Sequence, residues 1–227
     1  MGTRVKQILL ERIVDGSYKP GQRLKELEIA REFQTSQAPV REALRELEAV
    51  GLIETKYYRG SRVRVSTQRE LEEAYEIRAV LEELAAHTAA DAFKSQTKNL
   101  KKILDKATVY SKKGQWQLYS NYNYLFHRSI VAASGNPLLL RTWESLHFEF
   151  RTRLSIEHTA ANKRSVIHVD KTARDHYEIL NALHNGKGRE AGMLLRKHAL
   201  KNARLLAHSD RLSRPVASTS NSAEREG

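Results

Sequence analysis

The chain has 227 residues, of which 39 are Lys or Arg and 27 are Asp or Glu, so its formal net charge is +12. It contains no cysteine, which excludes disulfide scaffolds, cysteine-ligated zinc fingers, iron–sulfur clusters and thiol catalysis. The positive charge favours an acidic partner, with nucleic acid ahead of membrane. No apolar run approaches the roughly 18 residues of a membrane span, and the N-terminus lacks the apolar stretch of a secretory signal. We therefore expect a soluble, cytoplasmic protein with no membrane partner.

The first 66 residues follow the pattern of a winged helix-turn-helix domain. Apolar residues at helical spacing predict one helix that ends at Asp15-Gly16, a second after the Pro20-Gly21 turn and a third from Ser36. The period then changes from 3.6 to 2, which predicts a hairpin of strands 52–55 and 62–65. Three helices followed by a hairpin are typical of this DNA-binding architecture.

The third predicted helix is the element expected to enter the DNA major groove, with its N-terminal residues first. Gln can bond an adenine edge, Arg a guanine edge or a phosphate, and the methyl group of Ala can contact thymine. Arginines of the wing, Arg64 among them, suit phosphates or a narrow minor groove. The alternative for Arg41 and Arg45 is a solvated helix face paired with the neighbouring Glu42, Glu46 and Glu48. The candidate DNA-binding residues are Arg23, Ser36, Gln37, Ala38, Pro39, Arg41, Arg45, Arg59, Gly60 and Arg62.

These residues resemble the signature of GntR-type bacterial transcription regulators. The resemblance is carried by residues 20–26, by Ile29-Ala30 and by residues 35–44, and it continues through Gly51-Leu52-Ile53 to Arg59-Gly60. One departure is Gln37, because the family usually has Arg after the Ser. Since that side chain lies near the bases in relatives, the resemblance implies an operator that can differ from the family's usual sequence.

From about Arg69 onward the periodicity predicts only helices, with breaks at Lys113-Gly114, Gly135-Asn136-Pro137 and Asn185-Gly186. The segment from Ser213 to Gly227 has few large apolar residues and is predicted to be disordered. The predicted helices are 70–93, 97–113, 115–134, 137–158, 164–185 and 187–208. The predicted fold is mainly α, with a winged helix-turn-helix domain at 1–66, an all-helical bundle at 70–208 and a disordered tail at 209–227.

Several of the nine histidines lie on apolar faces of these helices. Asn123 and His127 are four residues apart on one face, and His176 and His198 lie in the apolar stripes of two later helices. His147 also lies near an apolar face. Three imidazoles and an amide oxygen directed at one bundle centre would suit Zn, Ni or Mn. Each histidine alone is more often a hydrogen-bonded core residue, so periodicity narrows the set of ligands without settling it.

Residues 70–208 resemble the all-helical FCD effector domain of the FadR subfamily, in its shorter VanR-like branch. In that family an Asp four residues before the histidine of a Phe-His pair joins three histidines to hold a divalent metal, and the metal with nearby groups binds a carboxylate effector. The resemblance implies His127, His176 and His198 as ligands, with Asn123 in the Asp position. A neutral amide oxygen is a weaker ligand than a carboxylate. Three possibilities therefore stay open: weaker metal binding, a different metal, or a pocket that works without one. The matching pieces are Glu76-Ile77-Arg78, Leu81-Glu82, Phe126-His127-Arg128, Ala133-Ser134-Gly135-Asn136-Pro137, Asp175-His176, Ile179-Leu180, Ala182-Leu183 and Arg196-Lys197-His198.

Arg78 is, beside Asn123, the second candidate for binding the effector. It flanks an inward-facing apolar stripe, where a lone Arg needs an anionic partner. In relatives the arginine of this helix helps to hold the effector carboxylate, and the guanidinium fork suits that geometry. The alternative is an internal salt bridge to Glu82, one turn further along.

The sequence thus predicts a ligand-responsive transcriptional regulator, and we expect a repressor rather than an activator. It would bind a palindromic double-stranded DNA operator as a homodimer. The effector would be a small organic acid or sugar acid that favours the weakly binding state and so releases DNA. One alternative is a constitutive regulator without metal or ligand. The other is a metal-dependent enzyme with an attached DNA-binding module, since a three-His site can activate water. The sequence has no nucleophile elbow, phosphate loop or dinucleotide fingerprint, and we assign no catalytic residue.

Overall fold

The computed structural model describes residues 2–65, 67–147 and 165–211, which form a winged N-terminal unit and a helical unit. The winged unit contains three helices and a small antiparallel sheet with strand order β1-β3-β2. Its elements are α1 (Gly2–Val14), β1 (Arg23–Leu24), α2 (Glu26–Glu32), α3 (Gln37–Ala49), β2 (Ile53–Lys56) and β3 (Gly60–Val63).

The core of the winged unit lies between α1, α3 and the inner face of the sheet. Leu9 of α1 and Leu47 of α3 are fully buried there, and Ile53 and Val63 are paired opposite each other across β2 and β3. The predicted hairpin is therefore present, with its strands shifted by one or two residues toward the turn. The strand β1 was not predicted, because two residues are too few to establish an alternating pattern.

The helical unit is arranged around one long central helix. Its elements are α4 (Gln68–Phe93), α5 (Lys98–Lys112), α6 (Trp116–Ala133), α7 (Pro137–Glu144), α8 (Ser165–His184) and α9 (Gly188–Arg211). Helix α4 packs against α6, α7, α8 and α9, while α5 packs against α6 and α8. No helix among the described ranges is both long and apolar enough to cross a membrane.

Two glycines of α9 allow it to approach α4 closely. A Cβ atom at Gly188 would lie 2.8 Å from the backbone oxygen of His87, and one at Gly192 would lie 3.0 Å from that of Glu83. The separation at Gly188 would force the backbone of α4 to move, and the one at Gly192 is tighter than ordinary van der Waals contact, so a larger residue at either position would push the two helices apart. The close crossing fixes where the rest of α9, including His198, lies relative to α4.

The two units are connected directly at the start of α4. Thr67 and Glu70 form a capping box, in which the Thr67 hydroxyl accepts from the Glu70 N–H at 3.2 Å and the Glu70 carboxylate accepts from the Thr67 N–H at 2.8 Å. The same carboxylate pairs with Arg64, so this wing arginine is committed to α4. A second contact joins the units where the Gln117 amide donates to the Asp15 carbonyl at 2.6 Å.

One predicted helix ends earlier in the structure than expected, and parts of the predicted segments lie outside the described residues. The helix predicted at 137–158 ends at Glu144 as α7, because His147 has a left-handed backbone (φ 48°) and its N–H bonds the Glu144 carbonyl at 3.0 Å. Residues 148–158 lie outside the described ranges. Helix α9 continues to Arg211, past the predicted boundary at 208, and the rest of the predicted tail, 212–227, is not described.

Candidate metal centre and DNA-binding surface

The N-terminal end of α3 presents polar groups to solvent. Ser36, Gln37 and Ala38 are exposed, whereas Pro39 is half-buried in the first turn of the helix. Ser36 has the extended backbone of an N-cap residue, but its side chain makes no capping hydrogen bond. Arg45 is exposed two turns further along. The predicted recognition residues thus occupy one accessible end of a helix whose opposite face is buried in the core.

Arg41 is held by a carboxylate of the preceding helix. Its guanidinium donates to both oxygens of Glu26, with distances of 3.0 and 3.1 Å from Nε and 2.7 Å from a terminal nitrogen. The hydrogen bond to Glu26 raises the pKa of Arg41 above its ordinary value. Arg41 is therefore paired, as the alternative interpretation expected, but with Glu26 of α2 and not with a glutamate of its own helix. The pair is solvent-exposed, so a phosphate or a base edge can replace the carboxylate at small cost.

The wing places its predicted residues in two different environments. Arg59 and Gly60 are exposed at the turn, and Arg23 lies against Gly60, with its guanidinium 3.7 Å from where a Cβ would be. Arg62 lies within the sheet, half-buried, with Nε 3.9 Å from the nearer Glu54 oxygen and without a hydrogen-bond partner on that atom. Arg59 and Arg23 are therefore more accessible to a partner than Arg62.

Sequence reasoning missed two aromatic residues at the tip of the wing. Tyr57 and Tyr58 are 85% and 91% exposed, with their ring centroids 4.2 Å apart. Large aromatic side chains so fully exposed are uncommon unless they contact a partner. Two adjacent tyrosines inside a predicted hairpin turn were the signal that could have identified them.

The three predicted histidines meet in the centre of the helical unit. His127 of α6, His176 of α8 and His198 of α9 are each no more than 2% exposed. The Nε2 atoms of His127 and His176 are 3.0 Å apart, and each of the three rings has a nitrogen within 4.8 Å of the others. This His cluster is therefore compact enough for its nitrogens to ligate a single ion.

Two carboxylates orient the rings of the His cluster. Nδ1 of His127 lies 2.9 Å from Glu82, and because an ionised carboxylate can only accept, Nδ1 carries the proton and Nε2 keeps its lone pair toward His176. Nδ1 of His198 lies 3.4 Å from Asp175, and its Nε2 lies 3.1 Å from the Asn202 amide nitrogen. Carboxylates bonded to the outer nitrogens of histidines are the usual partners of metal-ligating histidines.

Burial keeps the His cluster uncharged. Burial and, after it, the nearby Arg78 charge together lower the pKa of His127 to about 3, although the Glu82 carboxylate opposes this shift. Burial likewise lowers the pKa of His176 well below its ordinary value, and that of His198. Neutral imidazole is the form that binds metal, so no proton has to leave the cluster at neutral pH.

Asn123 adds an oxygen atom to the same face of α6. It precedes His127 by one turn and is 7% exposed, and its Oδ1 is buried without a hydrogen-bond partner. A buried amide oxygen without a partner is unfavourable unless a ligand or a water completes it. Three neutral imidazoles and one amide oxygen fit a divalent ion of the Zn, Ni or Mn type, although the set lacks the charge that a carboxylate ligand would bring.

Arg78 is connected to the His cluster through Glu82. Its Nε donates to Glu82 at 2.6 Å, and both side chains are almost completely buried, so the salt bridge considered as the alternative is present. Burial alone would raise the pKa of Glu82, but the charge of Arg78 and the His127 ring lower it to about 2. The Trp143 indole of α7 also donates to Glu82, at 3.0 Å. His147, beyond the end of α7, is not one of the residues gathered in the His cluster.

Each of the two units matches a known protein family. Residues 2–63 match the family described as bacterial regulatory proteins, gntR family, and residues 73–201 match the FCD domain. The probable D-xylose utilization operon transcriptional repressor of Paenarthrobacter nicotinovorans is 32% identical over 210 residues, which cover 92% of this chain and 90% of that protein. The gluconate operon transcriptional repressor of Bacillus subtilis is 32% identical over 146 residues, which cover 64% of this chain and 60% of that protein.

A solved structure has the same overall fold. That of E. coli McbR/YncC superimposes with a TM-score of 0.78 and covers 92% of this chain and 98% of its own, at 24% identity. The matched families consist of transcriptional regulators, which sets aside the enzyme alternative. The chain belongs to the gntR family of bacterial regulatory proteins, with an FCD domain following its winged DNA-binding unit.

Proposed function

We propose that the protein is a transcriptional repressor that acts in the cytoplasm, binds a palindromic operator as a homodimer, and is released from it by a small carboxylic or sugar acid. The observation that carries this proposal is the buried His cluster joined through Glu82 to a buried arginine, in a chain of a DNA-binding family. The repressors of D-xylose and gluconate operons among its relatives support repression and a sugar-related effector.

In this proposal the winged unit, residues 1–66, reads the operator. Gln37 and Ala38 face the base edges, because the N-terminal end of the recognition helix enters the groove first. Arg41 exchanges Glu26 for DNA, and Arg59 and Arg23 approach the backbone beside the wing turn. A two-fold protein presents two such surfaces, which is why the operator is expected to be palindromic.

The helical unit, residues 70–208, holds the metal and the effector and mediates dimerisation. His127, His176 and His198, with Asn123 as an oxygen donor, would hold the divalent ion. When bound, the ion supplies a positive centre in a dry site, to which a carboxylate is attracted. Arg78 adds a second positive charge beside the same site, and its position is fixed by Glu82. The unpartnered Asn123 oxygen favours an occupied site over a constitutive regulator with an empty one.

Helices α4 and α6 provide the mechanical connection to DNA. Helix α4 carries Arg78 and Glu82 and begins at the capping box beside the wing, and α6 carries His127 and begins next to the Gln117 contact with Asp15. An effector that draws on the groups of both helices therefore acts on elements that contact the winged unit. Release of DNA requires that the effector prefers the arrangement with the weaker operator affinity.

The effector step is tested by operator titration with and without added acids. We expect at least one acid from a panel of short carboxylic and sugar acids to weaken operator binding by about tenfold or more, within the usual range of allosteric coupling. Arg78→Lys keeps the charge but loses the planar fork, so it should bind operator normally and respond less. Operator affinity that no acid changes in the wild type would favour the constitutive alternative.

A substitution at the recognition helix tests the DNA surface. Arg41→Ala should lower operator affinity about tenfold, and a phosphate role would also reduce the dependence of log affinity on log salt by about 1. The matched control is Lys101→Ala, which removes a positive charge from a comparable exposed pair with Asp105 on α5 of the helical unit. Equal affinities of the two variants in fluorescence anisotropy would remove Arg41 from the interface.

The role of Glu82 in holding the metal site is tested by an isosteric change. Glu82→Gln keeps the volume but weakens the fixed acceptor for His127, so metal affinity should fall about 10- to 100-fold in a competition titration with a chromophoric chelator. Glu83→Gln is the matched control, since its carboxylate pairs with Arg196 outside the cluster. Circular dichroism establishes that both variants are folded. Unchanged metal affinity in a folded Glu82→Gln protein would contradict this account.

A further inference from the structure

A second unpartnered polar group lies on the face of α6 that carries His127. Ser120 is 2% exposed, and its hydroxyl has no hydrogen-bond partner. Among the described residues, only Arg62 Nε and Asn123 Oδ1 share this condition. Arg62 belongs to the wing, so the two unpartnered buried oxygens among the described residues of the helical unit both lie on α6, and the metal site accounts for only one of them.

Helical geometry places Ser120 at a defined distance from the His cluster. It precedes His127 by seven residues, about two turns, so both side chains project from one face of α6, with Asn123 between them. At a rise of about 1.5 Å per residue, Ser120 lies about 4.5 Å from Asn123 and about 10 Å from His127 along the helix axis. The hydroxyl is therefore in line with the metal site but beyond the reach of its ligands.

Two phenol groups lie at the same level as Ser120. Tyr119 and Tyr75 are buried, at 5% and 3% exposure, and the Arg78 guanidinium carbon lies 5.6 Å from the centre of the Tyr75 ring. Burial raises the pKa of Tyr119, and the charges of Tyr75 and Arg78 also act on it, so the three side chains lie within electrostatic reach of one another.

Helices α4 and α6 run in the same direction along this face. Glu82 contacts His127, and Tyr75, two turns before Glu82, lies within electrostatic reach of Tyr119, two turns before His127. By helical spacing the region has three layers. The His cluster and Glu82 lie at one end, and Arg78 and Asn123 lie in the middle. At the other end are three hydroxyl-bearing side chains, which we call the hydroxyl layer: Tyr75, Tyr119 and Ser120. A ligand whose carboxylate lies between the His cluster and Arg78 would extend its remaining carbons toward the hydroxyl layer.

This layering has a consequence for the chemistry of the ligand. A buried hydroxyl left unpaired costs free energy, and an aliphatic tail against Ser120 would leave it unpaired, whereas a hydroxylated tail would pair with it. We propose that the hydroxyl layer is a specificity subsite, centred on Ser120, that selects polyhydroxylated carboxylic acids over unsubstituted acids of the same length. This inference rests on the proposed function, because the carboxylate end of the ligand is held by the site described there.

The test compares acids that differ only in their hydroxyl groups. Isothermal titration of the full-length, metal-loaded protein is carried out with two pairs, gluconate with hexanoate and xylonate with pentanoate. Sites built to hydrogen-bond a ligand hydroxyl discriminate strongly against analogues that lack it. In at least one pair we expect the hydroxylated acid to bind about 100-fold or more tightly than the bare acid.

Substitutions on α6 assign the preference to the subsite. Ser120→Ala should reduce the ratio of affinities in the preferred pair by about tenfold, mainly by weakening the hydroxylated acid. Tyr119→Phe, which removes only a hydroxyl, should reduce it in the same direction. Ser129→Ala is the matched control on the same helix, because the Ser129 hydroxyl is already bonded to the Leu125 carbonyl at 2.7 Å, and it should leave the ratio unchanged.

Each other outcome contradicts a different part of the account. Bare acids that bind as well as their hydroxylated partners would overturn the subsite while leaving the carboxylate site intact. A preference for hydroxylated acids that persists in both Ser120→Ala and Tyr119→Phe would mean that the Ser120 hydroxyl bonds only a buried water. That result would also overturn the subsite. Binding of no acid from either pair would contradict the proposed carboxylate site, and the subsite with it.

Discussion

The carboxylate of Glu82 is the interaction on which the centre of the helical unit depends. It is fully buried and accepts hydrogen bonds from Arg78, from the Trp143 indole and from the His127 ring, so it connects α4, α6 and α7 at one point. A buried carboxylate is tolerated only when its charge and its lone pairs are matched, and here one arginine and two ring N–H groups provide this. The same bonds fix which nitrogen of His127 faces the other histidines. The packing of the helical unit and the geometry of the His cluster therefore depend on one group.

In the function we propose, this arrangement connects the buried site to the DNA-binding unit. Arg78 and Glu82 lie on α4, whose first turn is bonded to the wing through Glu70 and Arg64. Helix α6 carries the His127 ligand and touches the winged unit at its own first turn. A ligand that changed the separation of α4 and α6 in the core would therefore act on both contacts, because packed helices shift largely as units.

Much of the fold followed from local patterns, while the site depended on tertiary contacts. Apolar periodicity predicted the helices and placed His127 on a buried face, because burial of one helix stripe is a local property of sequence. The left-handed residue that ends α7 is His147, and a positive φ at a non-glycine residue has no reliable sequence signal. The partner of Arg41 proved to be Glu26, from another helix, which spacing along one helix cannot reveal. A charged residue such as Glu82 within an apolar stripe looks the same in sequence whether it is buried or at the surface.

The central claim is that the His cluster is a divalent-metal centre despite the amide of Asn123, and metal analysis of the purified protein tests it most directly. Inductively coupled plasma mass spectrometry before and after treatment with chelator should find close to one equivalent of a divalent transition metal per chain, removed by chelator and absent from a folded His176→Ala variant. A folded wild-type protein that holds no metal, and takes up none when Zn, Ni or Mn is supplied, would contradict the claim. The three histidines would then be a neutral hydrogen-bonded core, with Arg78 as the remaining site for an acid.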